Sequence, residues 1–221
     1  MKIPSNGSAR FRLDTNQLVY DEEGNALHYY QYTKLLNTGE YTIRQSAPSG
    51  TPGVKAYLKK LDPQENLRFY EMIKPRIALK SPLLQEGKVL DISPFLGTIN
   101  QEDFNRKAVV IVFWYADCPP CTESFNSLND IFGQINNPEN LIVVAVTYDN
   151  EQIASAKLKQ KPLMYARLLS NAGQIISAYQ LTTYPSFVVA DKDHIIRFAV
   201  SGLSPITIPL FKSTIRQVLI Q

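Results

Sequence analysis

The chain has 221 residues, 44% hydrophobic and 19% charged, with a formal net charge of +3. That length and apolar content suffice for one large domain, or a domain with an appendage, around a sizeable core. The weak positive balance, without a basic stripe, argues against a nucleic-acid-binding surface, and no apolar run approaches a membrane span.

The first eight residues, from Met1-Lys2-Ile3 to Ser8, lack an apolar stretch of signal-peptide length. This leaves two locations open: the cytoplasm, or an exported protein freed of its leader. Residues 17–46 hold short β-like runs rich in tyrosine, such as Leu27-His28-Tyr29-Tyr30-Gln31-Tyr32. Asn37-Thr38-Gly39 is a turn signal ahead of a run at Glu40–Arg44, and Ala47–Gly53 reads as loop. A strand is expected at Val54–Leu58. Asp62-Pro63-Gln64-Glu65 opens a helix, with a capping acid, proline at the first position and glutamate at the third. It is expected to carry Leu67, Phe69, Tyr70 and Ile73 and to end before Pro75. Residues 1–80 thus read as a small α+β appendage whose tyrosines serve packing.

Ser81-Pro82 and Gln85-Glu86-Gly87 mark the boundary of a second domain, 81–221. Here strands (near 108–114, 141–147, 163–168, 186–190 and 194–200) alternate with helices (near 119–132, 150–160, 172–180 and 206–219). This is the pattern of an α/β fold with a central sheet flanked by helices. Gly133 suits a helix end, and Asp191-Lys192-Asp193 reads as a hairpin turn, making the last two strands antiparallel.

The chemistry centres on Cys118-Pro119-Pro120-Cys121, which holds the only two cysteines. The pair follows the apolar run 108–114 and precedes a helical pattern, so the first thiol falls at a helix N-terminus whose partial charge stabilises a thiolate. Two intervening residues let one thiolate attack an outside disulfide and the other resolve the mixed disulfide. A structural bridge closing so small a loop stabilises little. A closed zinc site needs four ligands and finds no second pair. A copper site joining both thiols to His194 stays open at this point. Thr183-Tyr184-Pro185-Ser186-Phe187 supplies a proline at a strand start. It also fits a cis X-Pro bond beside the cysteines, exposing the Tyr184 backbone to an incoming extended peptide.

With these motifs in hand, residues 81–221 resemble the thioredoxin-fold thiol-disulfide oxidoreductases of the TlpA/ResA type. The resemblance is carried by Phe113-Trp114 before CPPC, Leu128-Asn129 on the following helix, Tyr184-Pro185 before Val189-Ala190-Asp191-Lys192, and a 37-residue span from Tyr148 to Tyr184 that leaves room for an inserted helix, strand and helix. The tyrosine-rich front segment resembles appendages of Bacteroidetes-like members. The resemblance implies Cys118 as the exposed nucleophile and Cys121 as the resolving thiol. Pro185 and the Tyr184 backbone would dock substrate, and Trp114 would pack beneath the motif. It also implies protein thiol or disulfide substrates, an upstream electron donor, no cofactor or metal beyond the redox pair, and an extracytoplasmic location, with any membrane tether lying outside this chain. The chain departs from the family pattern at four positions: Asp117 replaces a tryptophan, Ser124 a glutamate (with Glu123 one place early), Asn126 a kinking proline, and Val112 a buried aspartate of thioredoxins proper.

Two rival functions fit the motifs less well. A peroxiredoxin-type peroxidase wants threonine or serine three residues before its cysteine, where Tyr115 stands. A partner-binding module with a vestigial redox pair sits badly with intact CPPC and Tyr-Pro. The expected direction is reductive. Pro119 and Pro120 remove two N–H donors from the first turn, Asp117 disfavours ionisation of Cys118, and the thiol pKa is expected nearer neutral than acidic.

Overall fold

A computed structural model describes residues 18–37, 40–46, 53–204 and 207–220. The N-terminal residues 1–17, the Thr38-Gly39 turn, most of the 47–53 loop and the side chain of Phe69 lie outside the described residues. Packing divides the chain into two units, Met1–Asp62 and Pro63–Gln221.

In the first unit, β1 (Val19–Tyr20), β2 (Ala26–Leu27), α1 (Tyr29–Asn37), β3 (Tyr41–Gln45) and β4 (Ala56–Lys60) build a small α+β layer with sheet order β2-β1-β4-β3. Its core is Val19, Tyr32, Leu36, Ala56 and Leu58. The tyrosine run expected to be β-like is instead the start of α1. Tyr32 and Leu36, four apart, are buried on one face while Tyr30 stays exposed, so the burial follows the helical period. The His28 N–H donates to Gln31 Oε1 at 2.8 Å, one half of a capping box.

The second unit opens with α2 (Pro63–Ile77). The helix runs on through Pro75 rather than ending before it. Proline removes one donor near the C-terminal end, and Ala78 N–H still bonds Lys74 O at 2.8 Å. Tyr70 stacks on Phe198 with ring centroids 6.1 Å apart. Its hydroxyl donates to Glu86 Oε1 at 2.7 Å, and Lys74 pairs with the same carboxylate. Burial, then the Glu86 hydrogen bond, push the Tyr70 hydroxyl above the usual tyrosine range. These ties place the division at Asp62/Pro63 rather than at 80/81.

Beyond α2 come α3 (Gln101–Phe104), β5 (Ala108–Phe113), α4 (Pro119–Phe132), β6 (Leu141–Val146), α5 (Glu151–Gln160), β7 (Arg167–Leu169), α6 (Gly173–Ala178), β8 (Ser186–Ala190), β9 (Ile196–Ser201) and α7 (Thr207–Ile220). The sheet order is β7-β6-β5-β8-β9, with β6 parallel and β8 antiparallel to the central β5. This is a thioredoxin-like α/β sheet. β5 is buried along its whole length, which is why its sequence is a continuous apolar run rather than an alternating one. Val110, Val112 and Trp114 pack with Phe125, Leu128, Phe211 and Ile215 of α4 and α7. Val109, Ile111 and Phe113 pack on the other face with Phe95, Phe104, Ile175 and Tyr179.

The strand expected near 163–168 is reduced to β7. Asn129 holds the preceding segment instead, donating to Pro162 O and accepting from Met164 N–H, each at 2.8 Å. The last strand starts at Ile196 because His194, at φ 60°, closes the hairpin turn. Gly133 ends α4 at φ −66°, not in the left-handed region. Its missing side chain matters through close approach, since a Cβ there would stand 3.0 Å from Tyr165 Oη.

Register aligns one row across the sheet: Phe113 faces Val146 and Ser186, Val146 faces Leu169, and Ser186 faces Ser201. The loops after β5, β6, β7 and β9, and the loop before β8, therefore share one end.

Candidate active site

At that end the chain leaves β5 under tight control. Trp114 N–H donates to Val146 O at 3.0 Å, extending the β5–β6 ladder by one residue. Ala116 N–H donates to Asp149 Oδ2 at 2.6 Å, tying the loop after β5 to the loop after β6. The same carboxylate oxygen accepts the Thr147 hydroxyl at 2.9 Å. Cys118 N–H donates to Tyr115 O at 3.3 Å, and Cys118 becomes the N-cap of α4 at φ −108°, ψ 95°. Pro119 and Pro120 fill the first turn, where prolines cost no helical hydrogen bond. The first available donor, Cys121 N–H, points back to Cys118 Sγ at 3.2 Å. The two cysteines are joined as a disulfide with Cα atoms 5.2 Å apart.

One expectation needs correction. Cys118 is not exposed in this oxidised form: it is 2% accessible and Cys121 0%. Both sulfurs belong to an apolar cluster with Trp114, Ala116 and Phe125. Trp114 lies under the motif, edge-on to Phe125 with centroids 5.3 Å apart. Its indole N–H has no hydrogen-bond partner among the described residues. Asp117, Pro119 and Pro120 are exposed. Ser124, in place of the family glutamate, donates to Cys121 O at 2.6 Å.

The Tyr184–Pro185 peptide bond is cis. Pro185 O accepts Gly202 N–H at 2.8 Å. Tyr184 N–H and C=O make no hydrogen bond to the described residues, so this peptide unit is open beside the redox pair. His194 lies at the other end of the sheet, where Ala190 faces Val109. Its Nε2 is 3.2 Å from Phe104 O, so it does not join the thiols in a metal site. Among the described residues no group of three or more His, Cys, Asp or Glu could hold a metal ion.

Sequence reasoning passes over three residues that the fold brings here: Tyr115, Tyr148 and Asp149. The signal lay in the register. Tyr115 and Tyr148 stand two residues past the paired Phe113 and Val146, and Tyr184 two before Ser186. The three rings therefore meet, Tyr115 stacked on Tyr148 at 5.6 Å and Tyr184 edge-on to both at 5.4 and 5.9 Å. Desolvation, then the neighbouring Tyr148, Asp149 and Tyr115, push the Tyr184 hydroxyl up to about 12. Desolvation, followed by Asp149, also raises Tyr148.

Among curated proteins, the thiol-disulfide oxidoreductase ResA of Bacillus cereus (strain ATCC 10987 / NRS 248) is 27% identical over 96 residues, covering 43% of this chain and 55% of ResA. ResA of Bacillus thuringiensis subsp. konkukian (strain 97-27) matches to the same extent. The chain thus spans about half the length of these relatives. Among solved structures, the thioredoxin domain of a thiol-disulfide oxidoreductase from Bacteroides vulgatus shares 17% identity at a TM-score of 0.45, covering 52% of this chain and 84% of that one. StoA from Bacillus subtilis shares 18% at a TM-score of 0.42, covering 49% and 82%. The AhpC/TSA family model matches residues 87–199, more than half of the sequence, including Cys118, Cys121, Tyr184 and Pro185, and the chain belongs to the AhpC/TSA family.

Proposed function

We propose that this protein is a thiol-disulfide oxidoreductase that reduces disulfides in protein substrates through Cys118 and Cys121. The observation that carries this is the Cys118–Cys121 bridge at the N-terminus of α4, with Cys121 N–H directed at Cys118 Sγ at 3.2 Å. In the reduced state the Cys118 thiolate attacks one sulfur of the substrate disulfide, forming a mixed disulfide and releasing the other sulfur as a thiolate, which takes up a proton. The Cys121 thiol loses its proton and attacks Cys118 Sγ. This closes the Cys118–Cys121 bridge and frees the second substrate thiol, so two electrons pass from the dithiol to the substrate. A dithiol donor returns the pair to its reduced form, and no further cofactor is invoked. The open Tyr184 peptide at the start of β8 is suited to pairing with an extended substrate segment. The location proposed is extracytoplasmic.

Three features favour the reductive direction. Cys118 lies in apolar surroundings, which raise the cost of its thiolate. Pro119 and Pro120 leave Cys121 N–H as the nearest donor to it. Asp117 places a carboxylate one residue away. Opposing them, the helix dipole is worth only about 0.3–1 kcal/mol at an exposed end. Equilibration with dithiothreitol or glutathione buffers should give a potential near about −270 mV, and a value above about −180 mV would reverse the direction. The reduced protein should speed insulin reduction by dithiothreitol. Cys121→Ser should trap mixed disulfides and Cys118→Ser should not; the reverse pattern would overturn the assigned order of the thiols.

A further inference from the structure

The end of the sheet that carries the redox pair has a charge pattern unlike the rest of the chain. Its loops, 114–118, 147–150, 170–172, 182–185 and 202–204, and the first turns of α4 and α5 contain Asp117, Asp149 and Glu151 and no lysine or arginine. All of α4 lacks cationic residues as well. The chain as a whole is nevertheless positive, at +3. Among these carboxylates Asp149 is engaged by Ala116 N–H and the Thr147 hydroxyl, whereas Asp117, next to Cys118, is exposed.

The same end carries the Tyr115–Tyr148–Tyr184 cluster, with Tyr148 48% exposed. The rings come from three different loops and are fixed by strand register, and Ala116 N–H on Asp149 holds the loop that bears Tyr115. An aromatic face attracts a cation through its quadrupole, and nearby carboxylates add to that attraction. Aromatic rings and acids without a cation of their own leave the complementary charge to be supplied from outside. Resting on the thiol-disulfide exchange reading above, we infer that Tyr115, Tyr148, Tyr184 and Asp117 are specificity-determining residues that select protein disulfides whose cysteine is flanked by lysine or arginine.

The test uses the reduced full-length protein and three disulfide-linked peptide homodimers that differ only in the residue preceding cysteine: lysine, alanine or glutamate. Second-order rates of reduction are divided by the rates of the same peptides with dithiothreitol, which removes their intrinsic reactivity. The normalised rate should be highest for lysine and lowest for glutamate, with a lysine-to-alanine ratio of about three to ten. The ratio should shrink as salt is raised. Tyr148→Ala and Asp117→Asn should each lower it, while Tyr148→Phe, which keeps the ring, should retain it. Equal normalised rates, or a preference for glutamate, would overturn the inference while leaving the exchange reading standing. An unchanged ratio in Tyr148→Ala would remove the ring from the selection. Failure to reduce even the alanine peptide would sink both readings.

Discussion

The two ends of the five-stranded sheet follow opposite rules. At the hairpin between β8 and β9, Asp191 is 2% exposed and fully partnered. Its Oδ1 accepts Asp193 N–H at 3.0 Å and Ile195 N–H at 2.9 Å, and its Oδ2 accepts Arg197 Nε at 2.7 Å. His194 beside it reaches Phe104 O. At the redox end the Tyr184 peptide lacks partners among the described residues, and the loops carry Asp117 and Asp149 without a lysine or arginine. One end satisfies its polar groups internally and so fixes the register of the sheet. The other leaves hydrogen bonding and charge to be completed by what docks there.

The largest effect should come from breaking the closed end. Asp191→Ala removes the acceptor of two backbone N–H groups and the partner of the solvent-exposed Arg197, and should cost about 1–3 kcal/mol of stability. Denaturant unfolding would read this as a lower midpoint. Because the turn lies at the far end of the sheet, the folded fraction should exchange disulfides at the parent rate. A variant that lost exchange but kept its unfolding midpoint would erase the distinction between the ends.

Much of the second unit is legible in the sequence, and the reason is the central strand. A run such as Ala108–Phe113, buried on both faces, permits few other readings, and α4, α5, α6 and α7 follow their apolar periodicity within a residue or two. CPPC and Tyr184-Pro185 were legible because their spacing relative to strands carries the chemistry. The first unit was harder. Its strands β1 and β2 have two residues each, too short to show a period, and the tyrosines of α1 have strand propensity that the burial of Tyr32 and Leu36 overrides. The ties of α2 to Glu86 and Phe198 are long-range, so nothing local moved the boundary from 80/81 to 62/63. The tyrosine cluster needed register: its members are 33 and 36 residues apart in sequence and meet only because β6 and β8 both pair with β5.

Asp149 allows the comparison to be sharpened within the redox end, because it both positions the loop and contributes charge. Asp149→Ala removes the acceptor for Ala116 N–H and the Thr147 hydroxyl, and should cost about 1–3 kcal/mol while slowing exchange with protein and small-molecule disulfides alike. Asp149→Asn keeps an oxygen for Ala116 N–H and removes only the charge. It should fold nearly as stably as the parent and lose part of the preference for cation-flanked disulfides. Equal stability losses in the two variants would show that the charge, not the hydrogen bond, holds the loop.

The smallest effect is a pH dependence confined to the redox end. The Tyr184 hydroxyl is held up to about 12, first by desolvation and then by Tyr148, Asp149 and Tyr115, against an ordinary value of about 10 in the unfolded chain. Below pH 10 the hydroxyl is protonated in both states, so stability is unaffected by this group. As pH rises from 10 to 12 the unfolded chain releases the proton while the folded one keeps it, so the unfolded state gains and stability falls. Above 12 both states are ionised and the loss stops growing. Discounted for the partial exposure of the ring, the loss is about 1 kcal/mol. Since Tyr70 and Tyr179 are also raised by burial, the parent curve alone mixes several groups, and the useful quantity is the difference between parent and Tyr184→Phe. The parent should lose about 1 kcal/mol more than the variant between pH 10 and 12, with a larger tyrosinate absorbance component near the upper end of that window in the parent. Parallel stability curves would mean that Tyr184 sits in open water rather than within the aromatic cluster.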